Sequence, residues 1–140
     1  MKCVAIHEGK LTVGATSRNH NVSMDMPSPI GQNKAMTPGE MLLSSIAGCK
    51  IISFSSLAKK SSINFDELTV EISGGIGGSG FIDGTKIPTK EIVSIHTTYK
   101  IKTTNTRDEL EEFLVIVDKA CTVAKAISQD IKSTNEVIML

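Results

Sequence analysis

The chain has 140 residues, the size of one ordinary domain, and is expected to form a single domain over residues 1–140. Hydrophobic residues make up 40% and charged residues 21%, so a disordered chain is excluded. Fifteen basic residues balance fifteen acidic ones, and this neutrality speaks against nucleic acid as a partner, because phosphate neutralisation needs a basic excess.

Aromatic residues are only 4% and Trp is absent, so the core must be built from Ile, Leu, Val, Met and Ala. The opening MKCVAIHEGK has an apolar run that stops at His7 and Glu8, too short for a secretory signal. No stretch is expected to reach the apolar length of a membrane span. The expected location is the cytoplasm, with the three cysteines resting as thiols.

Lys2–Glu8 and Lys10–Ala15 form two strands around Gly9, in a hairpin. Arg18–Asp25 forms a third strand. Its two-residue period places Arg18, His20, Val22 and Met24 on one face, so Arg18 is expected to point toward the core. Residues 26–36 form a loop broken by Pro27, Pro29, Gly31 and Asn33.

The strongest helical signal begins at Thr37. Thr37-Pro38-Gly39-Glu40 is a capping box with proline at the first helical position. The helix is expected to run to about Lys60, roughly 35 Å at 1.5 Å per residue. Between Met41 and Leu57 its one charge is Lys50, and apolar side chains cover nearly the whole circumference. A helix apolar all round is buried on most sides. Its many serines permit close neighbours, as in a central helix flanked by a sheet or shared with another subunit.

Leu68–Ser73 alternates as a strand, 74–88 is a glycine-rich excursion, and Glu91–Thr104 is a long β-branched strand. Thr106–Ile131 lacks Gly and Pro and is expected to be helical, in one or two pieces. Leu110, Leu114, Val117, Cys121 and Ala124 form one stripe along it. Glu136–Leu140 is a final strand. The pattern is α+β.

Cys49 follows Gly48 inside the most apolar helix. Two readings stand for it, a small buried hydrophobe or a reactive thiol. Gly48 implies close approach by a backbone or a ligand, since Gly costs about 1 kcal/mol in a helix interior. A reactive thiolate away from a helix N-terminus needs a nearby cation, and Arg18 is the candidate. Cys121 stands seventy-two residues further on, which excludes a thioredoxin-like C-x-x-C motif. It too is either core or reactive, whereas Cys3 is an ordinary strand residue. His7, His20 and His96 are scattered without zinc spacing, and no metal or cofactor is expected. Pairing of Cys49 with His20 or His96 for acyl transfer stays open. Residues 75–80 match G-x-G-x-x-G but no helix start follows, so they are expected to form a mobile loop and not a dinucleotide site.

Residues 37–49, TPGEMLLSSIAGC, resemble the central-helix motif of the OsmC/Ohr family, as in its divergent OsmC-like branch. Lys119-Ala120-Cys121-Thr122-Val123 is similar to the family's second cysteine motif, and residues 19–25 to the strand before the central helix. The resemblance implies an OsmC-like fold with an antiparallel sheet and a long central helix, in an intertwined homodimer with sites at the subunit interface. It implies reduction of organic hydroperoxides, a defence against oxidative stress. Cys49 would be the peroxidatic thiol and Cys121 the resolving thiol, recycled by an external dithiol such as a lipoylated protein. Arg18 and Glu40 would complete the site.

Two departures bear on this. The family's catalytic Glu lies ten residues before the cysteine, where this chain has Gly39. Glu40 is nine before, so it is either catalytic or only the cap partner. Thr122 stands where the motif has proline. Alternatives from other classes are a cysteine hydrolase or acyl-transfer enzyme, and a non-enzymatic redox sensor or small-molecule binder on the same scaffold.

Overall fold

The computed structural model describes all residues, Met1–Leu140. The fold is α+β, with two three-stranded sheets and two α-helices. Its contacts divide the chain into two units, Met1–Ser44 and Ser45–Leu140.

The first unit is an antiparallel meander of β1 (Val4–His7), β2 (Val13–Ser17) and β3 (His20–Met24). The β1–β2 connection reverses through Gly9 and Lys10, both at positive φ. β2 and β3 are joined by Arg18 and Asn19, with Ser17 paired to His20. Arg18 is therefore not a strand residue facing the core, as the two-residue period implies. It is exposed, in the turn, at φ 55°. So tight a reversal needs left-handed backbone, and the period-2 pattern ends where the turn begins.

After β3 the loop is organised by one carboxylate. Asp25 is 1% exposed and accepts from the backbone N–H groups of Met26 (2.8 Å), Gln32 (3.2 Å) and Lys34 (3.1 Å). Gly31 packs against it, since a Cβ there would stand 2.7 Å from Asp25 Oδ1 and 2.2 Å from the Met26 carbonyl oxygen. Among the apolar side chains of this unit only Ala15 is buried, while Val4, Ile6, Leu11, Val22, Ile30 and Met36 are exposed.

Helix α1 (Pro38–Ala58) starts in the first unit and ends in the second. With the 3-10 turn Lys59–Ser61 it makes a 24-residue stretch that is long and apolar enough, by length and composition, to cross a bilayer. The expectation that no segment reaches that length is corrected. Ile46, Lys50, Ser53, Phe54 and Ala58 of α1 are buried, whereas Ile52, Ser55 and Ser56 are exposed. Within this chain the helix is covered along one face, not all round.

The second sheet has the order β4-β5-β6. β4 (Glu67–Gly77) and β5 (Glu91–Lys102) are antiparallel. β4 reaches four residues into the glycine-rich run, and the turn beyond it is closed by a Phe81–Pro88 bridge and the Ile82–Ile87 hydrogen bond. The glycines serve cross-strand packing. A Cβ on Gly75 would stand 2.4 Å from Ser94 Oγ, and one on Gly77 3.0 Å from Val93 Cγ1.

β6 (Lys132–Met139) begins four residues earlier than expected and pairs with β5 in parallel, so the sheet is mixed and not antiparallel. The reason is α2 (Arg107–Ala120), which carries the chain from the end of β5 back to the start of β6, the crossover that a parallel pair requires. α2 opens with a capping box between Thr106 and Glu109. It buries Leu110, Phe113, Leu114 and Val117 against Tyr99 and Ile101 of β5, Val137 of β6 and Phe54 of α1. Phe54 sits edge-on to Phe65 and Phe113 at centroid distances of 5.2 and 4.9 Å.

Burial pushes the Asp25 carboxyl up, but its three N–H donors and the Lys34 charge outweigh this and hold it below the usual carboxylate range. A folded value below the unfolded one, near 3.9, contributes stability above that pH, and the contribution is lost as pH falls through the folded value. Thermal melts from pH 7 down to pH 2 should therefore show acid destabilisation that Asp25→Asn reduces. An identical pH dependence in the variant would count against this role.

Candidate functional site

The site is built from two segments, the middle of α1 and the end of α2. Cys49 is half-buried on α1, and Cys121 is wholly buried. The helical stretch expected over Thr106–Ile131, in one or two pieces, breaks at Ala120. Cys121 is its C-cap, in extended conformation at φ −73° and ψ 98°, with its N–H still donating to the Val117 carbonyl. A 3-10 turn, Ala124–Ala126, follows. No Gly or Pro marks this end.

The consequence is chemical. In a continued helix the N–H of Val123 would be spent within the helix and Thr122 would rotate away. Released from it, both meet Cys49. Burial pushes the Cys49 thiol up. Against this, hydrogen bonds from the Cys121 thiol, the Val123 N–H and the Thr122 and Ser53 hydroxyls together draw it below the ordinary cysteine range. Cys121 goes the other way. Burial raises it, and so do its hydrogen bond to Cys49 and the Cys49 charge, while the Ala124 N–H and the Lys50 charge act in the opposite direction. In the pair Cys49 is the acceptor and Cys121 the donor.

A buried charge stands beside them. Lys50 follows Cys49 and is 6% exposed. Its ammonium pairs with Asp118 of α2 and lies 5.6 Å from the centroid of the Tyr99 ring. Asp118 also accepts from Tyr99 Oη at 3.4 Å and Asn135 Nδ2 at 2.6 Å. Burial, then the Asp118 charge and hydrogen bond, push the Tyr99 hydroxyl far up, so it stays neutral. Lys50 and Asp118 also line a cavity of about 230 Å³.

The sequence-predicted residues are thus only partly assembled. Cys49 and Cys121 come together. Arg18 stands in the β2–β3 turn of the first unit. Glu40 is exposed and engaged as a cap: the Thr37 N–H donates to its Oε2 at 2.7 Å, and its own N–H donates to Thr37 Oγ1 at 3.2 Å. Hydrogen bonds to the carboxyl from the Thr37 N–H and the Thr37 hydroxyl hold it below the usual range against the opposing effect of burial. Lys50 and Thr122 were missed as site residues. A lone Lys in an apolar helix was the available signal, because a buried Lys requires a partner.

Gly48 meets no crowding neighbour, since space is open where its Cβ would stand. His7, His20 and His96 belong to no group of three or more His, Cys, Asp or Glu side chains, and His96 meets Glu136 at 3.7 Å. His96 lies on the outer face of β5, held by Thr134 at 2.7 Å, while Ile95, Thr97 and Tyr99 face inward.

The family described as OsmC-like protein matches residues 31–136. The fold is similar to that of an OsmC-like protein from Mycoplasma pneumoniae, at 20% identity and TM-score 0.85 over 99% of this chain and 96% of that one. It is also similar to an organic hydroperoxide resistance protein from Elizabethkingia anophelis, at 18% identity and TM-score 0.75, covering 99% and 94%. A third similar structure is an organic hydroperoxide resistance protein OsmC from Legionella pneumophila, at 15% identity and TM-score 0.74, covering 97% and 94%. No match was found among curated proteins.

Two outcomes follow from the geometry. Alkylation of Cys49 by iodoacetamide should show a midpoint below about pH 8.5, the ordinary thiol value, with Cys121 reacting later. Peptide-resolved mass spectrometry gives both rates, and equal midpoints would remove the asymmetry. Glu40→Gln keeps the cap hydrogen bond and removes the charge. If Glu40 serves only the cap, thiol reactivity should stay at the wild-type value in both variants, with Tm lowered less by Glu40→Gln than by Glu40→Ala.

Proposed function

Since the chain belongs to the OsmC-like family, we propose that it is a thiol peroxidase that reduces organic hydroperoxides through Cys49 and Cys121. The observation that carries this reading is the asymmetry of the pair, one sulfur drawn toward thiolate and its hydrogen-bonded neighbour kept protonated. A two-cysteine peroxidase needs this division, because only a thiolate attacks the peroxide and the second thiol must wait.

The Cys49 thiolate attacks the terminal oxygen of ROOH. The S–O bond forms, the O–O bond breaks, and the alkoxide leaves as ROH after taking a proton. Cys49 is then a sulfenic acid. Cys121 attacks its sulfur, the S–O bond breaks, and hydroxide leaves as water with the proton from Cys121. An external dithiol, such as a lipoylated protein, reduces the disulfide by exchange. Exposed Ile52 lies three residues beyond Cys49 on α1, which favours a peroxide with an apolar substituent. The resemblance of the motifs to the family is what proposes Arg18 as the guanidinium that meets the peroxide.

The working unit is proposed to be a homodimer in the cytoplasm, where thiols are kept reduced. The first unit supports this. A unit that buries only Ala15 and exposes Val4, Ile6 and Val22 on its three-stranded sheet needs a cover, and a second copy supplies it. The hydrolase alternative has less support, since the partners of Cys49 are a thiol, two hydroxyls and a backbone N–H, with no imidazole among them.

One equivalent of cumene hydroperoxide added to reduced protein should remove two hydrogens, read by intact mass spectrometry. Cys121→Ser should instead gain one oxygen, and Cys49→Ser should do neither. Repeated turnover with a dithiol separates an enzyme from a sensor. Arg18→Ala should slow the peroxide step about tenfold or more, the usual scale for loss of one stabilising charge. An unchanged wild-type mass after peroxide would sink the proposal.

A further inference from the structure

The buried Lys50–Asp118 pair has no part in the peroxide step, and its position is specific. Lys50 directly follows Cys49, and Asp118 precedes Cys121 by three residues, one turn of α2. One ion pair therefore bridges the two segments that carry the sulfurs. Asp118 is steadied from β5 by Tyr99 and from β6 by Asn135. A buried ion pair is a poor way to gain stability, because desolvation of both charges offsets the attraction, and apolar residues of like size often do better.

We propose that Lys50 is a positioning residue for disulfide closure: its bridge to Asp118 sets Cys121 against Cys49, and its ammonium favours the attacking Cys121 thiolate. This deepens the two-cysteine reading and rests on it for its role in turnover. The charged and titratable groups around Cys121 are Cys49 and Lys50 on α1, Asp118 on α2 and Tyr99 on β5, with Lys125 beyond α2 lining the same cavity as Lys50. Tyr99 is neutral.

In the resting pair burial, then the hydrogen bond to Cys49 and the charge developed on Cys49, keep the proton on Cys121, where it serves as a donor. Once Cys49 is bonded to oxygen or sulfur, that charge is gone. The Lys50 charge remains and acts on Cys121 without opposition from Cys49. The arrangement favours the order of the two steps, since reaction at Cys49 removes its opposition to the Cys121 thiolate while burial remains.

Closure is measured without peroxide, so that this inference and the peroxidase reading fail separately. In a Cys3→Ser background, Cys49 is loaded as a mixed disulfide with thionitrobenzoate. Attack by the Cys121 thiolate forms the Cys49–Cys121 disulfide and expels coloured thionitrobenzoate. Its release is followed from pH 5 to pH 10.

Lys50→Gln should slow release about tenfold at pH 7 and move the midpoint up by about one pH unit, the scale of one neighbouring charge. Lys50→Arg should keep the wild-type midpoint. If Lys50→Gln does not fold, Lys50→Met with Asp118→Leu removes both charges in apolar packing and should show the same displacement. A wild-type midpoint in the charge-removed protein, with or without a uniformly lower rate, overturns the proposal.

Discussion

The end of α2 at Cys121 is the constraint on which the site depends. One more helical turn would keep the Val123 N–H within the helix and carry Thr122 away from α1. Breaking there frees a backbone donor and a hydroxyl for the Cys49 sulfur and leaves the Cys121 thiol within hydrogen-bond reach. The same break lets the chain turn, through the 3-10 segment, into β6 beside β5. Fold and site share one local event.

The two thiols are told apart by hydrogen bonding and burial. Cys49 collects donors, so its charged form gains relative to its neutral one. Cys121 is more deeply buried and gives its own proton to the pair, so its charged form loses. The cation that acts on this pair within the second unit is Lys50, and it acts on Cys121. Thr122, where the family motif has proline, adds a hydroxyl that proline lacks. The departure from the motif therefore brings a gain in polarity at the sulfur.

The two units stand on different physical footings. The second has a closed core of Phe54, Tyr99, Ile101, Leu110, Phe113, Leu114 and Val117. The first holds its shape by sheet hydrogen bonds and by Asp25, which gathers the loop around one carboxylate. Val4, Ile6, Leu11, Val22, Ile30 and Met36 remain uncovered. α1 belongs to both units and is buried along one face, which makes it the common element between the well-packed unit and the exposed sheet.

By itself the sequence determined the elements whose signals are local. The Thr37–Glu40 capping box closes within three residues, the Leu68–Ser73 alternation repeats every two, and the Leu110–Val117 stripe every three or four. The family motifs around Cys49 and Cys121 were legible for the same reason. What only the tertiary structure decided depends on partners far apart in the chain. The stop at Cys121 has no breaker residue and follows from burying its thiol and pairing β6 with β5. The parallel sense of β6 is a property of the α2 crossover. The turn at Arg18 interrupts a strand pattern that its neighbours continue. Lys50 became a site residue only when folding brought Asp118, sixty-eight positions away, against it, since a buried ammonium is tolerable only where an opposite charge is already held in place.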